Sequence, residues 1–201
     1  MEKTKLRNSL YGLISRLLMS EVDSEILKIL KYDSQVLDLF PNLKEWDLFK
    51  TLDDTQLIDE HLNVDFTNIS LLHLVPYETF YTREDGMVET GGANPVTNFY
   101  HKYGFKVEFE KARVVSPDHI GIELEFMYKL TEAELEARNN GDEEALNIVL
   151  SEQKEFLEKH VINWFALYLI NVKYESRTPL YHDLAELTLS FVLEDYESLK
   201  S

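Results

Sequence analysis

The chain has 201 residues, with 37 acidic against 20 basic side chains, a net charge of −17 and no cysteine. An apolar share of 44% with only seven Gly and five Pro fits one domain, or two interdependent lobes with a sizeable core, and excludes a disordered or collagen-like chain. The missing cysteines exclude disulfides, thiolate metal sites and Cys nucleophiles, and the charge argues against nucleic acid as a partner while favouring basic ones.

From the N-terminus, Leu6, Leu10, Leu13 and Leu17 step at helical spacing and predict a helix with that face buried. Arg16 interrupts the apolar stretch, so no secretory signal is expected. Ile26, Leu27 and Leu30 predict a short helix after Asp23-Ser24. Val36, Leu37, Phe40 and Leu43 predict another, interrupted near Pro41. Asp53-Asp54 is placed to cap a further helix toward His61, and the apolar piece Asn68 to Leu74 ends at Val75-Pro76. Residues 82–95 hold three of the seven glycines and read as a long ordered loop. A short helix follows Asn94-Pro95 and ends at Gly104.

Residues 105–115 partly alternate apolar and charged, and are expected to form an extended hinge between an N-terminal helical lobe (1–104) and a C-terminal one (116–201). Ser116 and Pro117 are placed to start a helix that keeps Ile120, Leu124, Met127 and Leu135 on one face. That helix ends at Asn139-Asn140-Gly141, and Asp142 starts the next. Leu157, Val161, Trp164, Tyr168 and Val172 form one stripe, and Ile162, Phe165 and Leu169 a second, so a central helix is expected at 161–172. Thr178-Pro179 opens a last helix that buries Leu180, Leu184, Leu187 and Phe191. The fold class expected is all-α and bundle-like. The longest charge-free stretch, between Lys159 and Lys173, is too short to span a bilayer and contains His160, Asn163 and Asn171. A cytoplasmic protein without stable membrane insertion is expected.

Phosphate-cradling glycine loops, the Gly-x-Ser-x-Gly elbow, His-Glu-x-x-His and Glu-x-x-His are all absent. Asp118-His119 with Glu123 forms an acidic edge, either capping plus a surface pair or a receptor for a cation. Tyr77-Glu78-Thr79-Phe80-Tyr81 joins a carboxylate to aromatic neighbours, either as a packed junction or as a groove wall. His160, His182-Asp183 and Asp195 follow the order used by helical metal-dependent phosphohydrolases, which leaves an enzyme as the alternative class. An acidic assembly scaffold is a third.

Five separated pieces resemble the TorD/DmsD/NarJ family of chaperones for molybdenum oxidoreductases. They are Val75-Pro76-Tyr77-Glu78-Thr79-Phe80-Tyr81, Phe99-Tyr100 with Tyr103-Gly104-Phe105, and Pro117-Asp118-His119-Ile120-Gly121-Ile122-Glu123-Leu124-Glu125-Phe126-Met127. The others are Glu152 to His160 with Trp164, and Tyr181-His182-Asp183-Leu184-Ala185-Glu186-Leu187. The resemblance implies a TorD-like helical fold and a non-catalytic chaperone without a cofactor of its own. It also implies as partner the catalytic subunit of a molybdopterin oxidoreductase, or its twin-arginine signal peptide. Such a chaperone assists cofactor loading and holds back export. A peptide of two arginines followed by an apolar stretch needs carboxylates and an apolar groove. Resemblance and residue chemistry together assign Asp118, His119 and Glu123 to one groove edge, Tyr77, Glu78 and Tyr81 to the other, and Tyr100 to an aromatic floor. Protonation of His119 is expected to make binding pH-dependent. A monomer or a lobe-exchanged homodimer is expected.

Overall fold

The computed structural model describes residues 1–112 and 114–200. In chain order its helices are α1 (Glu2–Met19), α2 (Ser24–Tyr32), α3 (Ser34–Leu37), α4 (Pro41–Glu45), α5 (Asp47–Thr51), α6 (Asp54–Gln56), α7 (Asn63–Thr67), α8 (Glu78–Thr82), α9 (Thr97–Lys102), α10 (Phe109–Ala112), α11 (Ile120–Asn140), α12 (Glu143–Phe156), α13 (Phe165–Glu175) and α14 (Pro179–Lys200). Three stretches are wound as π-helix, namely π1 (Leu57–Leu62), π2 (Asn68–Leu72) and π3 (Leu157–Val161). Among the described residues there is no β-strand, only an isolated antiparallel bridge between Tyr77 and His119. The all-α class is the one expected.

Local chemistry sets many of the ends. Asp23, Asp33, Asp53 and Asp142 accept backbone N–H groups at the starts of α2, α3, α6 and α12, which satisfies donors that a helix leaves unpaired. Pro41 opens α4. Gly104 and Gly141 adopt φ of 63° and 65° just past α9 and α11, a left-handed turn that a side chain disfavours. Both stops fall where the sequence placed them.

The chain folds as two compact units that interleave in sequence. The first comprises Met1–Met19, Tyr77–Phe165 and Val192–Ser201, and the second Ser20–Pro76 and Ala166–Phe191. This grouping differs from the expected lobes 1–104 and 116–201. Within the expected hinge, residues 109–112 form α10, in keeping with the helix propensity of Glu, Lys and Ala. Arg113 lies outside the described residues.

In the first unit the guanidinium of Arg7 is buried. Its Nε donates to Asp195 at 2.5 Å, Nη1 to Glu134 at 2.6 Å and Nη2 to Gln153 at 2.5 Å. Tyr11 adds a hydroxyl to Asp195 at 2.8 Å, and Thr4 one to Glu134 at 3.0 Å. The buried residues of α1 are Thr4, Arg7, Tyr11, Ile14, Ser15, Leu17 and Leu18, whereas Leu6 is 61% exposed. Of the leucine stripe expected inside, Leu17 is buried, Leu10 and Leu13 are half-buried and Leu6 turns outward, because an arginine saturated by two carboxylates can enter a core.

In the second unit, buried acids again bind helix starts. Asp65 accepts the N–H of Thr178 at 2.7 Å and its hydroxyl at 2.7 Å, ahead of α14. Asp183 accepts the N–H groups of Asn42 and Leu43, each at 2.9 Å, at the start of α4.

Three expectations are corrected. α11 starts at Ile120 with His119 as its N-cap, not at Ser116-Pro117, because Ser116 and Asp118 are engaged elsewhere. The 161–172 stretch breaks between π3 and α13, and Leu167 and Ile170 are 60% and 44% exposed, so α13 is not enclosed on all sides. Leu135, Leu187 and Phe191 are only half-buried.

Candidate functional site

The seven residues singled out from the sequence all lie in the first unit. They gather around α8, a helix of five residues whose position is set from outside. The N–H of Glu78 donates to the Asp118 carbonyl at 3.0 Å. The Asp118 carboxylate accepts the N–H of Thr79 at 2.8 Å and its hydroxyl at 2.6 Å, and also meets the Ser116 hydroxyl. Thr79 Oγ1 in turn accepts the N–H of Glu89 at 2.9 Å, and Ser116 accepts Asn94 at 3.0 Å. One fully buried carboxylate thus joins α8, the 83–95 loop and the entry to α11.

α8 turns Glu78 and Thr79 inward and leaves an aromatic outer face. Tyr77 and Tyr81 are half-buried, and Phe80 is exposed. Tyr81 stacks on Trp164 with ring centroids 5.4 Å apart, and Phe80 meets Tyr81 edge-on at 5.1 Å. Tyr77 meets the His119 ring at 5.2 Å, edge to face. These geometries suit the aromatic quadrupole. Burial pushes the Tyr81 hydroxyl up to about 12, so Tyr81 stays a neutral donor.

On the inward side, both oxygens of Glu78 meet His160 Nδ1, at 3.1 and 3.2 Å. The His160 ring sits between Phe99 and Phe156, at 5.1 and 5.3 Å. It belongs to π3, a winding often found at functional positions. The indole N–H of Trp164 donates to the His160 carbonyl at 2.6 Å, which ties the aromatic face to the acid pair beneath it. Burial raises the Glu78 carboxyl, and His160 partly offsets this.

Glu123, in the first turn of α11, is fully buried, within reach of Glu78 and of the Trp164 indole. Burial first, then the charges of Glu78 and Asp118, push it well above the usual carboxylate range. Two carboxyls in one dry site cannot both ionise cheaply.

The expected groove with acids on two edges is corrected. Glu78, Asp118, His119, Glu123 and Tyr100 are all buried, and a direct backbone hydrogen bond joins Glu78 to Asp118. Tyr100 donates its hydroxyl to the Pro117 carbonyl at 3.0 Å and packs on Phe105 and Phe126. It is frame, not floor. His119 Nδ1 accepts the Gly121 N–H at 3.0 Å, and burial lowers its pKa to about 3. It is neutral near pH 7, so the expected protonation switch at His119 is overturned.

Phe80 was not among the residues assigned from the sequence, and His160 was placed with a metal, whereas Trp164 is buried as its place in the apolar stripe predicts. No local spacing betrays a pair such as Glu78 and His160, which are 82 residues apart. The residues of the phosphohydrolase reading are committed elsewhere. Asp183 holds α4, Asp195 holds Arg7 and His160 faces Glu78. Among the described residues, His182, Asp183 and Glu186 can bring ligand atoms within 4.8 Å of one another, but Glu186 pairs with Lys173.

No helix among the described residues is long and apolar enough to cross a membrane. No curated protein and no solved structure matches the chain. The nitrate reductase delta subunit family matches residues 42–168, a span that runs from α4 into α13 and contains every residue of the site just described. The chain therefore belongs to the nitrate reductase delta subunit family of NarJ/TorD-type chaperones, which serve molybdoenzyme maturation.

Proposed function

We propose that this protein is a non-catalytic, cytoplasmic chaperone that binds the N-terminal peptide of a molybdopterin oxidoreductase catalytic subunit while that subunit acquires its cofactor. The reading is carried by one observation: an aromatic surface, Tyr77, Phe80 and Tyr81 backed by Trp164, lies at a short helix that turns Glu78 inward toward the buried Glu123 of α11. Aromatic surface receives apolar side chains at low entropic cost. Carboxyls in a low-dielectric site favour an approaching guanidinium over a neutral side chain. A peptide with paired arginines ahead of an apolar stretch meets both demands. Asp118, His119 and Tyr100 act as positioning residues that hold α8 and α11 in register.

Titration with a twin-arginine peptide tests this reading. Tyr81→Ala and Glu78→Gln each weaken binding by roughly tenfold or more, with the helical circular dichroism unchanged. Replacing both peptide arginines with glutamine weakens binding similarly. Unchanged affinity in both protein variants removes α8 from the site. A peptide that fails to bind at all favours an acidic scaffold, and stoichiometric divalent metal in the purified protein favours the phosphohydrolase.

A further inference from the structure

A second surface lies in the other unit, on α13. That helix buries Tyr168, Leu169 and Val172 completely, yet carries Leu167, Ile170 and Tyr174 at 60%, 44% and 81% exposure. These three are spaced i, i+3 and i+7, one continuous stripe of a helix. π2 runs alongside. The Tyr168 hydroxyl reaches the Ile69 carbonyl at 3.5 Å, and His73, just past π2, faces Glu175 at 3.6 Å. π2 exposes Leu71 and Leu72 at 63% and 67%, and α7 before it exposes Val64 at 45%. Two neighbouring helical segments thus each present large apolar side chains to solvent.

Charge narrows the occupant. This unit carries fifteen acidic against six basic residues. Four of the six, Lys31, Lys44, Lys50 and Lys173, are already neutralised by Asp54, Asp38, Glu45 and Glu186. Glu175 stands beside Tyr174 at one end of the stripe, and exposed Asp59 and Glu60 precede Val64. A second copy of the chain would bring like charges together, and an anionic membrane surface would be repelled. A basic partner is attracted.

We propose that the α13–π2 face docks an amphipathic helix of a partner protein, its apolar stripe laid along Leu167, Ile170, Leu71 and Leu72 and its flanks carrying Lys or Arg. This is helix-to-groove recognition with acidic borders. It is independent of the α8 surface.

The probe is a synthetic amphipathic helix of leucine and lysine, with a leucine and glutamate counterpart as control. The Leu/Lys peptide binds one-to-one and saturably. The exposed double variant Leu71→Ser/Ile170→Ser weakens it by roughly tenfold or more without changing the unfolding midpoint, and Tyr174→Ser alone weakens it less. Tyr81→Ala leaves this binding unchanged, which separates the two surfaces. Equal affinity of the double variant, or equal affinity for the Leu/Glu peptide, overturns the proposal. So does a homodimer that the double variant abolishes, since a second copy then covers the face, and so does loss of binding in Tyr81→Ala.

Discussion

The carboxylate of Asp118 takes both the backbone N–H and the hydroxyl of Thr79, at 2.8 and 2.6 Å. The two residues lie 39 positions apart, and the contact is where α8 is attached to the start of α11. Asp118→Asn replaces an acceptor with a group that also donates, toward donors already in place. It should destabilise the fold by about 2–4 kcal/mol, with Thr79→Val costing about 1–2 kcal/mol. Urea unfolding of both variants measures this. Wild-type stability in Asp118→Asn would show that the latch carries no load.

Glu123 predicts an unusual alkaline limb. Its carboxyl is raised in the fold above the ordinary value of 4.5, so the native state binds the more protons above that pH. Stability should fall as pH rises from about 4.5 through the folded value. Glu123→Gln removes the cost of ionisation and should flatten that limb, leaving the variant the more stable at pH 8. Chemical unfolding at several pH values is the measurement, and parallel curves for variant and wild type would contradict it.

His119 acts in the opposite direction. Its folded value is lowered from 6.5 to about 3 by burial, so the unfolded chain binds the extra proton below pH 6.5. Its contribution is complete above pH 6.5 and is lost as pH falls toward 3, at up to about 1.4 kcal/mol per unit. His119→Asn keeps a cap acceptor for Gly121 and should shift the acid midpoint to lower pH, as read by circular dichroism.

Arg7→Met leaves Asp195 and Glu134 buried without their shared partner, although Arg138 still reaches Glu134 at 2.8 Å. The expected loss is about 3–5 kcal/mol, seen as an earlier urea midpoint.

Electrostatic steering by the acidic chain should appear in kinetics. Stopped-flow association of a twin-arginine peptide is expected to slow with added salt, whereas Tyr81→Ala should mainly speed dissociation. A salt-independent association rate would remove the steering contribution.

Much of the fold was legible because its signals are local. Asp caps, Pro41, Gly104 and Gly141 act within a turn of themselves, and α2, α4, α9 and α12 begin or end, and α11 ends, where those residues say. The face of α1 was not legible. A leucine count favoured Leu6 and Leu10, but the buried stripe runs through Arg7, whose partners Glu134 and Asp195 come from distant helices. The start of α11 shifted for the same reason, since Asp118 looks like a first-turn acid until Thr79 arrives to claim it.

The sequence by itself determined the helical class, the chemical types at the site and the family pattern that joins Tyr77–Tyr81 to Pro117–Met127. Only the tertiary structure decided which of those residues face inward. Burial is a property of the partner surfaces, and a carboxylate reads alike in a sequence whether it meets water, as Glu175 does, or a threonine and a serine, as Asp118 does. Folding turned the expected acidic rim inward beneath an aromatic surface: Thr79 and Ser116 receive the charge of Asp118 and His160 faces Glu78, while burial raises the carboxyl of Glu123.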